Sequence, residues 1–199
     1  EVFLKLAEFN RDTVETHLAL GNLFRRRGEV DRAIRVHQHL IARPNLSNEE
    51  KTVALLELGE DYMRAGLLDR AETLFTDLVA MDAHVPSALK HLIGIYQHEK
   101  DWDKAIDHAR RLERISGESE GPVIAQFHCE QAEQARAAKN FEEAHAHLEQ
   151  AFESQPECVR AYIVLGHLEA QQGNVDAAAQ AFERVATLDV DYVPEILQP

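Results

Sequence analysis

Apolar residues recur at helical spacing twice along Thr13–Leu40, with one break between the two runs. Val14, Leu18, Leu20, Leu23 and Phe24 form the first stripe; Val30, Ala33, Ile34, Val36 and Leu40 form the second. The break is Arg27-Gly28-Glu29, where glycine suits a helix end. The pattern predicts two amphipathic helices folded back on each other. Small residues, Gly21 in the first and Ala33 in the second, mark where the two backbones are expected to meet. Neither helix can bury its stripe alone, so the unit requires copies of itself on both sides.

Those copies are present. Ala33, Ala71, Ala105, Ala144 and Ala178 each follow a small or apolar residue by 12 positions: Gly21, Gly59, Ile93, Ala132 and Gly166. The turns between them read RRGEVDRA, RAGLLDRA, HEKDWDKA, AAKNFEEA and QQGNVDAA. Gly28, Gly66 and Gly173 suit a left-handed helix end, and Asp101, Asn140 and Asn174 suit the next N-cap. Asp31, Asp69, Asp103, Glu142 and Asp176 place an acid in each following first turn, where it complements the helix dipole. Four residues past each Ala lie His37, Phe75, Ala109, Leu148 and Phe182, with His37 where an aromatic is usual.

This period near 34 resembles the tetratricopeptide repeat. The resemblance implies an all-α fold, a right-handed superhelical solenoid of antiparallel helix pairs. One repeat array is expected over residues 1–199, with repeats at 14–47, 52–85, 86–119, 125–158 and 159–192. Residues 1–12 read as the end of a truncated repeat and 193–199 as the start of another, giving about eleven helices and no strand. The steps between the Ala anchors are 38, 34, 39 and 34 residues. The two long steps fall at Pro44–Glu50 and Ser116–Pro122. Ser47 and Glu50 have capping-box spacing, and Pro122 suits a first helical turn. An added turn at the start of the first helix in copies two and four is therefore expected, with no domain boundary there.

Composition narrows the function. The net charge is -14 with a pI near 5.2, so a nucleic-acid partner is disfavoured. Cys129 and Cys158 are too few for a disulfide framework or a zinc knuckle, and reducing, intracellular surroundings fit best. No apolar run approaches the roughly 20 residues that span a bilayer. The chain opens without Met inside a helix pattern, which predicts a piece of a longer protein. No nucleophile motif, phosphate loop or zinc-protease motif is present, so no catalytic residue and no metal ligand is assigned. No two of the eleven His stand four apart, and surface or groove histidines are the expectation.

What remains is a surface. Helix-pair solenoids present a concave face lined by the first helix of each pair. At the positions expected to face it stand Asn22, Arg25, Arg26, Glu60, Met63, Arg64, Lys90, Gln97, His98, Glu133, Arg136, Arg160, His167 and Gln171. Asn22 and Lys90 match part of the clamp that some such repeats use for a chaperone C-terminus. Leu18, Leu56 and Glu60 occupy the neighbouring clamp positions and speak against that ligand. Arg25, Arg26 and Arg64 are the expected acid-recognising end, unless they pair with Glu29, Glu60 or Asp61. Cut repeats predict exposed apolar faces at Phe3 and Leu6 and around Phe182 and Val185, hence end-to-end self-association.

The runs GNLFRRRGEVDRAIRVHQHL, LGEDYMRAGLLDRAETLFTDL and IYQHEKDWDKAID are more specific than a generic repeat. They resemble the bacterial lipopolysaccharide assembly protein B family. That resemblance implies a non-enzymatic adaptor at the cytoplasmic face of the inner membrane. Its implied partners are the lipid A precursor deacetylase and the membrane-bound ATP-dependent protease that degrades it. It also implies an N-terminal membrane helix and a rubredoxin-like zinc or iron module, both outside this sequence, leaving no cofactor within it. A peptide-binding assembly scaffold and the repeat region of a glycosyltransferase are the alternatives.

Overall fold

The computed structural model describes residues 13–189. These residues form ten helices and no strand. In chain order they are α1 Val14–Arg26, α2 Val30–Ile41, α3 Asn48–Arg64, α4 Leu68–Ala80, α5 Val85–Glu99, α6 Trp102–Ser116, α7 Gly121–Ala137, α8 Phe141–Ser154, α9 Val159–Gln172 and α10 Val175–Leu188. The five expected pairs are all present. The expected half pair at residues 1–12, with Phe3 and Leu6, lies outside the described residues, as does the segment 193–199. Two compact units divide the chain, one ending at Ile95 and the other beginning at Tyr96. Their boundary falls within α5 and not at either long step.

Each turn repeats one backbone device. The residue seven after each first-helix anchor has positive φ in all five copies: Gly28 (79°), Gly66 (74°), Lys100 (60°), Lys139 (61°) and Gly173 (83°). Copies three and four thus hold a lysine in the left-handed region, where Cβ is crowded. Asp101 caps α6 by accepting from the Lys104 amide. Asn140 and Asn174 occupy N-cap positions without capping; their side-chain amides donate to Glu143 and Glu169 instead.

The small first-helix residues make room for rings, not for backbone. A methyl group on Gly59 would sit 2.6 Å from the buried Phe75 ring, and on Gly21 or Gly166 it would overlap His37 or Phe182. At the same register copy four compromises, with Ala132 and Leu148 in one buried cluster. Large and small residues alternate across one seam, as close packing requires.

The long steps do add helical turn. Helices α3 and α7 have 17 residues each, against 15 in α5 and 14 in α9. Ser47 and Glu50 close the capping box, and Pro122 sits in the first turn of α7. The expected exposure around Phe182 and Val185 is corrected. Ala178, Ala181 and Val185 are buried, and Phe182 lies over Gly166 and edge-on to His167. The histidine expectation fails at two places as well: His37 and His128 are buried, because each occupies an inward helical position.

Candidate functional site

In the first unit, the last turns of α1 and α3 bring several candidate residues together. Arg25, Arg26, Glu60, Met63, Arg64 and His91 line a cleft of about 660 Å³. Arg25 forms its floor. Its Nη2 lies 2.6 Å from Glu57 Oε2 and 2.8 Å from Glu60 Oε2, while Nη1 reaches Asp61 Oδ1 at 2.8 Å. Nη1 also donates to the Glu57 carbonyl at 3.0 Å. Burial works against the Arg25 charge, but hydrogen bonds to Glu57 and Asp61 outweigh it and raise its pKa.

Below that floor lies a fully buried polar pair. Asp61 Oδ2 is 2.6 Å from Nδ1 of His37, and neither side chain is exposed. An ionised carboxylate only accepts, so Nδ1 carries the proton of this bond. His37 Nε2 is buried and has no hydrogen-bond partner. Glu60 is shared upward: His91 Nε2 lies 3.4 Å away, and the His91 ring stacks on Phe75 at 4.6 Å. The His91 hydrogen bond, with Arg25 beside it, holds the Glu60 carboxyl below its usual range against the opposing effect of burial.

Arg25 is therefore occupied. Three carboxylates consume its donors, because α3 presents Glu57, Glu60 and Asp61 on the face nearest α1. Arg26 and Arg64 differ. Both are exposed, line the same cleft, and make no ion pair among the described residues. They flank Met63, so the cleft offers two guanidinium groups beside an apolar, adaptable side chain.

The second unit gathers another part of the candidate set. Arg136 donates from Nε and Nη2 to Glu133 at 3.0 and 2.6 Å, and from Nη1 to Gln171 at 2.9 Å. The last contact ties α7 to α9. Arg136 holds Glu133 below the ordinary carboxylate range, with Arg160 and His167 adding to the effect. Arg160 approaches Glu130 at 3.9 Å. Lys90, Gln97 and His98 are exposed, and the Asn22 carbonyl oxygen is buried without a partner.

Glu57 escaped the sequence reading, as did the burial of Asp61 and His37, while the expected pairing with Glu60 and Asp61 holds for Arg25. One signal was available: His37 replaces an aromatic opposite Gly21, and an inward polar ring needs a buried partner. A second pair was also missed: the thiols of Cys129 and Cys158, 29 positions apart in sequence, lie 3.9 Å from each other. Among the described residues no group of three or more His, Cys, Asp or Glu is arranged to hold a metal, and no helix is long and apolar enough to cross a membrane.

Comparison with known proteins agrees with this architecture. Lipopolysaccharide assembly protein B of Escherichia coli (strain K12) is 39% identical over 198 residues, covering 100% of this chain and 51% of that protein. The Haemophilus influenzae protein of the same name is 40% identical over 185 residues, covering 93% of this chain and 46% of its own length. The chain thus spans about half the length of the curated relatives it matches. Among solved structures, MamA aligns with a TM-score of 0.59 at 22% identity, covering 94% of this chain and 97% of that one. YrrB, described as having an unusual peptide-binding site, aligns with a TM-score of 0.61 at 17% identity, covering 96% and 94%. Tetratricopeptide repeat models match residues 56–120 and 129–190, and a further one matches 16–49. With five helix pairs in register and these matches over most of its length, the chain belongs to the tetratricopeptide repeat family.

Proposed function

We propose that the chain is the repeat region of a non-enzymatic adaptor that binds protein partners, with Arg26 and Arg64 receiving an acidic side chain of the partner. The observation that carries this reading is the cleft, where Arg26 and Arg64, which make no ion pair among the described residues, stand beside an Arg25 already neutralised by Glu57, Glu60 and Asp61. A guanidinium fork holds a carboxylate bidentately, and two of them focus positive potential in a chain of charge -14. Similarity to lipopolysaccharide assembly protein B supports a role in regulating lipopolysaccharide synthesis at the cytoplasmic face of the inner membrane. In that role the protein presents the lipid A precursor deacetylase to a membrane-bound ATP-dependent protease. The membrane helix and the rubredoxin-like zinc or iron module of that role belong to parts of the protein outside this sequence.

The test is direct binding of the purified lipid A precursor deacetylase to the wild-type chain and to Arg26→Glu/Arg64→Glu. Loss of two charge-assisted contacts predicts an affinity at least about tenfold weaker. The wild-type affinity falls as salt rises, and that of the variant stays nearly flat. Helical content and melting remain close to wild type, because both residues are exposed. Undiminished binding by a folded variant assigns the contact to another surface.

A further inference from the structure

The second unit holds a thiol pair that the adaptor reading does not use. Cys129 sits on α7, fully buried among Ala125, Ala132, Leu148 and Val164. Cys158 is the N-cap of α9, packs against the same cluster and is only partly covered. Their sulfurs are 3.9 Å apart, so about 2 Å of approach forms a disulfide bond. We propose that Cys158 and Cys129 form a hydroperoxide-sensitive modification site, in which Cys158 is the attacking thiol and Cys129 the resolving thiol.

The surroundings divide the roles. Cys158 lies at the positive end of α9, where the amides of Ala161 and Arg160 face its sulfur and the Arg160 guanidinium adds charge. A hydrogen bond from the Cys129 thiol, followed by these amides, brings the Cys158 pKa down to about 6 against the opposing effect of burial. Cys129 moves the other way. Its proton is held by the neighbouring thiolate and its site is apolar, so it stays a thiol. One sulfur is thus partly open to solvent with its thiolate form favoured, the other buried with its thiol form favoured. That is the division of labour a peroxide-reactive pair needs.

The chemistry balances. The Cys158 thiolate attacks one oxygen of the hydroperoxide, the O–O bond breaks, and the departing hydroxide takes a proton to leave as water. Cys158 is then a sulfenic acid. The Cys129 sulfur attacks that sulfur, the S–O bond breaks, and the hydroxide leaves as water with the Cys129 proton. Two thiols lose two electrons to one hydroperoxide. The product ties α7 to α9, the two helices that Arg136 and Gln171 already link, and so stiffens that stretch of surface.

The experiment exposes the whole chain to hydrogen peroxide and follows intact mass and a non-reducing peptide map. The expected result is loss of two hydrogens and one intrachain link between the Cys129 and Cys158 peptides. Cys129→Ser should stop at a sulfenic acid on Cys158, trapped by a 1,3-dione, and Cys158→Ser should react at least about tenfold more slowly. The wild-type rate should level off below the pH at which an ordinary thiol does, since an ordinary thiol keeps rising past pH 8. A link between separate chains, a rate that keeps rising past pH 8, or equal reactivity of Cys158→Ser overturns the proposal.

Discussion

Gly59 and Phe75 show how one missing side chain sets the packing of a pair. Phe75 is fully buried and also stacked on His91, so its ring cannot move aside for a methyl group. Gly59→Ala should therefore destabilise by about 1–3 kcal/mol through overpacking. Copy four accommodates Ala132 by carrying Leu148 in place of the ring. Gly59→Ala with Phe75→Leu reproduces that combination, and thermal unfolding of the four proteins should give a double-variant loss smaller than the sum of the single losses. The sequence displayed the inverse sizes at these positions, but not what they meant. A glycine opposite an alanine anchor reads as close backbone approach until the ring between them is seen. The buried Asp61 was hidden for a similar reason: it stands between Glu60 and Tyr62 in an acidic stretch, and only its inward register separates it from solvated carboxylates.

At the scale of the element, the helices were legible because each carries its own start and stop. The stripes repeat at 3.6 residues, and Ser47 with Glu50 announces the extra turn of α3 seven residues ahead of Ala54. The left-handed turn was legible only where it is glycine. Lys100 and Lys139 fill the same position in copies three and four at a conformational cost, which propensity alone does not reveal. Ser47→Ala should cost about 1 kcal/mol and speed hydrogen exchange of the first-turn amides of α3. Acid acts on the same helix. Ser47, through its amide and then its hydroxyl, lowers the Glu50 pKa, and His91 followed by Arg25 lowers that of Glu60. A carboxyl lowered in the folded state contributes stability that is complete above its unfolded value, about 4.3, and is lost as pH falls through its folded value. Melting temperature should thus fall steeply below about pH 4, and less steeply in Glu60→Gln.

For the whole molecule, the repeat architecture determines how far a local loss spreads. Copy one joins copy two through Arg25 on α1 and His37 on α2, which both converge on Asp61 of α3. Each repeat of such an array draws its stability from itself and its nearest neighbours. Asp61 is the one carboxylate in this junction that touches both partners, and it has no exposure to water. Replacing it by Ala leaves Nδ1 of His37 without an acceptor in a buried place, and leaves Arg25 Nη1 with the Glu57 carbonyl alone. Removing one member of a buried pair costs about 3–5 kcal/mol, and Glu57 and Glu60 retain part of the Arg25 charge compensation. Asp61→Ala should accordingly cost about 2–4 kcal/mol, concentrated at the first junction. Hydrogen exchange resolved by peptide should show α1 and α2 losing protection by about two orders of magnitude, the factor that corresponds to about 3 kcal/mol. Helices α7 to α10 should keep wild-type protection, since their contacts lie within the second unit. Equal loss in both units would show that the chain opens as one cooperative body, with the buried pair serving all five repeats.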